Sequence, residues 1–161
     1  MALTIVRYPH PALATVCEPV SAFDADLKAF ADALYATMIA APGIGITAAH
    51  VGDRRRLTII DLPDFGGRRD FVNPVILSFS QETMEHEEGS VSMPGAVEKV
   101  TRPRNITLRY QTLDGEERQE TASGFAAICL QHEIDQLDGI FWLQRLSRLK
   151  RDRLLKKWQK R

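Results

Sequence analysis

Apolar positions recur with two different periods along this chain. From Leu27 through Phe30, Ala31, Leu34 and Met38 they fall at helical spacing, and Asp24 stands where an N-cap belongs. This predicts a helix from Asp24 to about Ala40. Between residues 43 and 122 the pattern changes to short apolar runs broken by turn residues. LTIID (57–61) and FVNPVIL (71–77) flank Gly66-Gly67, and NITLRYQT (105–112) runs into Asp114-Gly115, a strong hairpin signal. A second helix is expected from near Ser123 to Gly139, a residue suited to cap its C-terminus. It opens FAAICL, apolar on every side, and such a helix lies inside a molecule rather than on it. A third, from about Arg145 to the end, has Leu146, Leu149, Leu154, Leu155 and Trp158 as its apolar face. One helix, a block of strands and two further helices predict an α+β fold in a single domain, residues 1–161.

The 161 residues are enough for one ordinary core, and 44% hydrophobic with 26% charged residues is the composition of a folded domain. The formal net charge of zero conceals an asymmetry. Residues 1–143 hold 12 Lys and Arg against 20 Asp and Glu, while residues 144–161 hold 9 against 1. The body is therefore acidic by 8 and the tail basic by 8, counted from the same sequence. No signal peptide is read at MALTIVRYPHP, and the longest uncharged stretch, 33–49, is interrupted by Pro42, Gly43 and Gly45. Two cysteines make no disulfide framework, so the expected compartment is the cytoplasm, with no membrane and no DNA partner.

The chemistry concentrates in CLQHEIDQLDG (129–139). His132 and Glu133 stand together on a helix, and position 136, one turn on, shares the face of His132. That spacing suits two metal ligands with a carboxylate beside them as general base, but position 136 is Gln. Taken alone, the pair equally describes a core histidine hydrogen-bonded to its surroundings. Two other stretches change the weighting. GIGITAAHVG (43–52) sets two glycines just before a small-residue strand, letting another backbone approach closely, and EEGSVSMPG (87–95) places acids, a glycine and Ser90 in a turn or bulge.

Together with QHEIDQLDG (131–139), these stretches resemble the three motifs of peptide deformylases, roughly GxGLAAxQ, EGCLS and QHExDHLxG. YPHPAL near the start, VNP at 72–74, Val100 and Arg102 after SMPG, and QRLSRLKR at 144–151 also fit, so the likeness covers nearly the whole chain. It implies a bacterial-type protein with antiparallel or mixed sheets around a buried central helix, followed by a C-terminal helix from about 145. It further implies removal of the formyl group from N-formylmethionyl peptides in protein biosynthesis. A divalent ion held by one Cys and two His supplies a nucleophilic water, the helix Glu shuttles protons, and a Gln and a backbone N–H stabilise the oxyanion. The peptide would lie extended beside Gly43, Ile44, Gly45 and Val91.

Carried over position by position, the resemblance fails at its centre. The Cys ligand corresponds to Ser90, the first His to His132, the second to Gln136 and the oxyanion Gln to His50; Glu133 is kept. Gly43, Gly45, Glu88, Gly89, Ser92, Gln131, Asp135, Leu137 and Gly139 match the motif frame. A hydroxyl and a neutral amide are poor replacements for a thiolate and an imidazole, so the expectation is no cofactor and little or no deformylation. If an ion is held (Fe²⁺, Zn²⁺ or Ni²⁺), the alternative is a metallohydrolase rebuilt on His50, His132 and either Glu133 or Glu88. Weaker alternatives are a Cys129 thiolate and a triad of Ser90, a histidine and Glu133. Without an ion, a His–Glu or a Ser–Gln–His network is expected in its place, with Glu133 raised in pKa by desolvation. The basic tail reads first as a solvated helix face packed through its leucines and Trp158; the resemblance implies, as the alternative, a non-catalytic ribosome or nascent-peptide contact.

Overall fold

A computed structural model describes residues 3–160, and the elements follow the predicted order. Helix α1 spans Ala25–Ala40; the Asp24 carboxylate accepts the Leu27 N–H and so caps it. The strands are β1 (Gly45–Thr47), β2 (Leu57–Leu62), β3 (Gly67–Phe79), β4 (Thr83–Ser90), β5 (Met93–Pro103), β6 (Asn105–Gln111) and β7 (Glu117–Ser123). Helix α2 spans Gly124–Leu137 and α3 spans Arg148–Gln159. Short 3-10 turns at Pro11–Ala14, Ala48–Val51, Pro63–Phe65 and Trp142–Arg145 join them.

A five-stranded sheet has the order β1-β2-β3-β6-β7, and β4 with β5 forms a separate two-stranded sheet. All pairings between these strands are antiparallel, and the one parallel contact among the described residues is an isolated bridge from Glu18 to Arg55. The large sheet is covered on both faces. Leu57 and Ile59 of β2 pack with Leu27, Leu34 and Met38 of α1, while Ile60 and Leu62 face Ala126, Ala127, Leu130 and Ile134 of α2. Alternate residues of one strand therefore serve two cores, which is why LTIID reads as a continuous apolar run. A third core joins the hairpin residues Met93, Ala96 and Val100 to Trp142, Leu146 and Leu154.

Helix α2 is buried along nearly its whole length, as FAAICL requires, and it lies between the large sheet and the β4–β5 hairpin. Gly139, at φ 77°, follows its end in the left-handed region, where a side chain is disfavoured. Two boundaries differ from expectation. The third helix starts at Arg148 rather than about Arg145, because Ser147 caps it by accepting the Lys150 N–H. Its apolar face is narrower than the spacing suggests: Leu154 is buried, but Leu149 is 68% exposed and Leu146 precedes the helix. The strand read at 43–52 is short, because Ala48–Val51 coils into a 3-10 turn that carries His50.

Candidate functional site

Three segments converge on a cavity of about 440 Å³. One wall is residues 41–45 with His50, a second is the β4–β5 hairpin at 87–91 and 94–97, and the floor is the α2 face bearing Phe125, Cys129, His132 and Glu133. The glycines of the first wall make room for side chains rather than for another backbone. A Cβ on Gly45 would lie 2.6 Å from Oε2 of Glu133, and one on Gly43 would lie 2.9 Å from Cγ1 of Val91. A bulge between Glu88 and Ser90 turns the hairpin toward α2, as the acid-glycine-serine sequence suggested.

His132 is held by a chain of charges. Its Nδ1 lies 2.8 Å from Oε1 of Glu88, whose carboxylate also accepts two bonds from Arg102, at 2.6 and 2.9 Å. Arg102 reaches Asp135 at 2.8 Å, and Arg145 donates to Asp135 from the surface at 2.8 and 2.9 Å. Burial alone would raise the pKa of Glu88, but the hydrogen bonds from His132 and Arg102 outweigh it and hold the carboxyl at about 2. Burial alone would lower that of His132, yet Glu133 and Glu88 push it above its ordinary value. This is the expected His–Glu network. The Ser–Gln–His alternative does not form. Ser90 Oγ accepts the Ser92 N–H at 3.1 Å, and Gln136 turns away from the cavity to donate to the Leu13 carbonyl at 2.8 Å.

Glu133 and His50 are finished differently. Glu133 lies with Oε2 3.9 Å from His132 Nε2, and desolvation raises its pKa to about 7 against the opposing charge of that histidine. His50 Nδ1 accepts the Thr47 N–H at 2.9 Å. Burial, and then the neighbouring charge of His132, lower its pKa to about 3, so the ring is neutral. Among the described residues, Glu133 Oε1 and His50 Nε2 are buried without a hydrogen-bond partner. Of the residues proposed from sequence, Gly43, Ile44, Gly45, His50, Ser90, Val91, His132 and Glu133 line the cavity and Gln136 does not. Cys129 also lines it, with its thiol pushed up by burial and by the charge of Glu133, far from a thiolate. Ala96 and Val97 of the hairpin and the Gln136–Leu13 bond were not foreseen. The two bonded residues lie 123 positions apart, and nothing local marks the pair.

A buried helix presenting a His-Glu pair to a cleft, beside a short sheet edge, is an arrangement that hydrolases use. The comparisons with known proteins are more specific. The model of the polypeptide deformylase family matches residues 2–152. A peptide deformylase-like protein of Agrobacterium fabrum is 55% identical over 156 residues, covering 97% of this chain and 94% of the relative. A peptide deformylase of Phenylobacterium zucineum is 43% identical over 159 residues, with coverages of 97% and 94%. Peptide deformylase from Ehrlichia chaffeensis, crystallised in complex with actinonin, matches with a TM-score of 0.91 at 35% identity over 99% of this chain and 96% of that one. The chain belongs to the polypeptide deformylase family.

The family normally uses a divalent metal ion, and the donors here do not fit one. Of the three ligand positions only His132 offers a strong donor, Ser90 is a neutral hydroxyl, and Gln136, whose Nε2 donates to the Leu13 carbonyl, does not line the cavity. Among the described residues, no group of three or more His, Cys, Asp or Glu side chains is arranged to hold a metal ion.

Proposed function

We propose that this protein keeps the peptide cleft of its family but lacks its metal centre, binds peptide N-termini there, and performs little or no deformylation. The observation that carries this reading is the placement of Gln136, which does not line the cavity and whose Nε2 donates to the Leu13 carbonyl, while Ser90 Oγ accepts the Ser92 N–H. A thiolate and an imidazole at those positions would supply charge and a nitrogen donor; these two residues supply neither. Gly43, Ile44, Gly45 and Val91 form the strap along which an extended peptide would pair.

The test is metal content together with hydrolysis of a formyl-methionyl peptide, both measured on anaerobically purified protein. Far less than one ion per chain and no turnover are expected. A stoichiometric ion with turnover abolished by Glu133→Ala would reject the reading. As a companion, the triple variant His50→Gln, Ser90→Cys, Gln136→His should gain metal and some activity, at a cost in stability from the lost Leu13 bond. A folded triple variant that takes up no metal would show that the surroundings of the site have drifted as well.

A second reading, a working acyl hydrolase rebuilt around His50 and His132, draws on Glu133. Its carboxyl, raised to about 7 and facing the cavity, has the properties of a general acid or base. A third role fits alongside the first. In α3, Arg151 and Lys150 are half-buried, but Arg148, Arg153, Lys156 and Lys157, with Lys160 just after it, are exposed, which suits a polyanion such as ribosomal RNA. Equal co-sedimentation with ribosomes at low salt by the intact chain and one ending at Arg148 would exclude it. A cytoplasmic setting accords with these roles, and among the described residues no helix is long and apolar enough to cross a membrane.

A further inference from the structure

The two edges of the five-stranded sheet are finished differently. Strand β1 is three residues long and borders the cleft, whereas β7 keeps an unbroken register with β6 from Glu117, opposite Gln111, to Ser123, opposite Asn105. Among the described residues no strand lies beyond β7, and it has neither the proline nor the bulge with which edge strands commonly block further pairing. The ends of its ladder fix where its backbone groups point. The Thr112 N–H donates to the Glu116 carbonyl and the Gly124 N–H to the Arg104 carbonyl, each at 2.9 Å. Antiparallel ladders alternate, so residues 116, 118, 120, 122 and 124 direct their N–H and C=O groups at the β6 side. Glu117, Gln119, Thr121 and Ser123 therefore present theirs outward, and all four residues are exposed.

We propose that β7 is a self-pairing edge, through which two copies of this chain join antiparallel about a two-fold axis at Gln119 and merge two five-stranded sheets into one. The occupant is a second copy because the charges of β7 complement themselves in that register and in none beside it. Pairing about Gln119 sets residue 117 against 121, and 119 against 119, as hydrogen-bonded pairs. It sets Arg118 of each copy against Glu120 of the other at the non-hydrogen-bonded positions, where side chains come closest. Arg118 is exposed beside Glu116, at 2.8 Å, and Glu120 is held by Arg69 through Oε1. An axis at Arg118 or at Glu120 keeps the outward groups in phase but puts like charges opposite each other. An axis at Thr121 leaves Arg118 opposite Gly124 and Glu120 opposite Ala122, without a charge partner. Because β1 lies at the far edge of each copy, the pair holds its two clefts at opposite ends of the joined sheet.

Sedimentation velocity on the full-length protein should show a monomer–dimer equilibrium between about 10 and 500 µM, the weak association of a small interface. Gln119→Pro removes an outward N–H that β6 does not use, so it should leave the melting temperature nearly unchanged and abolish the dimer. Arg118→Glu should weaken the dimer about tenfold by setting like charges opposite each other, and adding Glu120→Arg to it should restore association. Cysteine placement reads the register, since both native cysteines are buried. Under mild oxidation Gln119→Cys should cross-link across the axis, where the Cα atoms lie about 5.5 Å apart. Ser123→Cys, roughly 27 Å from its own equivalent at about 3.4 Å per residue, should not. A protein that stays monomeric over the whole range would refute the second copy as occupant, as would a dimer that Gln119→Pro leaves intact. Cross-linking no faster at 119 than at 123, or a folded double variant that does not regain association, would overturn the register.

Discussion

On the side of the cleft where α2 meets β4, Glu88, Arg102, Asp135 and His132 satisfy one another, whereas where α2 meets β1 the atoms Glu133 Oε1 and His50 Nε2 are buried without a partner among the described residues. The first group has the form of a structural unit. Each charge has an opposite neighbour, and Arg145 carries the chain of charges to the surface. The second group costs free energy in the absence of a ligand, because buried polar atoms without partners forfeit the hydrogen bonds that water gave them. The lesson of the contrast is that neighbouring residues of QHExD are held in different ways. His132 and Asp135 are fixed by charged partners, while Glu133, like His50, keeps a buried atom without a partner among the described residues.

The sharpest way to break this contrast is to remove the centre of the partnered side. Arg102→Ala leaves the buried Glu88 carboxylate without its main counterpart and should cost about 3–5 kcal/mol. For a chain of this size that lowers Tm by on the order of 10 °C. A loss below about 1 kcal/mol in urea unfolding would mean that the network is not structural.

The two carboxylates should then show opposite pH dependence. Glu88 is held at about 2, below its ordinary 4.5, so its contribution is present above pH 4.5 and is lost as the pH falls toward 2. Glu133 is raised from 4.5 to about 7, so the folded state binds the extra proton. Its contribution is full below pH 4.5 and is lost as the pH rises through 7. Glu133→Gln should therefore stabilise the protein at pH 8, by on the order of 2 kcal/mol, and have little effect near pH 4. Melting curves at the two pH values check this, and a stabilisation of equal size at both would contradict it.

A smaller effect separates fold from site at Gln136. Gln136→Leu removes the donor to the buried Leu13 carbonyl and should cost about 1–3 kcal/mol, without changing peptide binding in the cleft. A change in peptide affinity larger than the change in stability would place Gln136 back in the site. Smallest of all, Leu149→Gln at the exposed start of α3 should shift stability by less than about 0.5 kcal/mol.

Several of these features were legible in the chain before its fold. Asp24 announced the start of α1, Asp114-Gly115 the β6–β7 turn, and FAAICL the buried helix, because caps, hairpin turns and all-round apolarity are decided by residues close together in sequence. The motif frame likewise brought His50, Ser90, His132 and Glu133 to one cavity. The length of α3's apolar face was less legible. Leu149 has the right spacing for that face, but no neighbouring element covers it, and periodicity cannot say how far a neighbour extends.

By itself, then, the sequence determined the α+β order, the family, and the neutral hydroxyl and amide at positions 90 and 136, since residue identity alone sets donor chemistry. Where the remaining polar atoms point was decided only by tertiary structure. Whether Gln136 faces the cavity depends on a carbonyl at Leu13, and whether His50 donates or accepts depends on the backbone at Thr47. Hydrogen bonds are short-ranged and directional, so these choices are made only once the chain has brought the partners within reach.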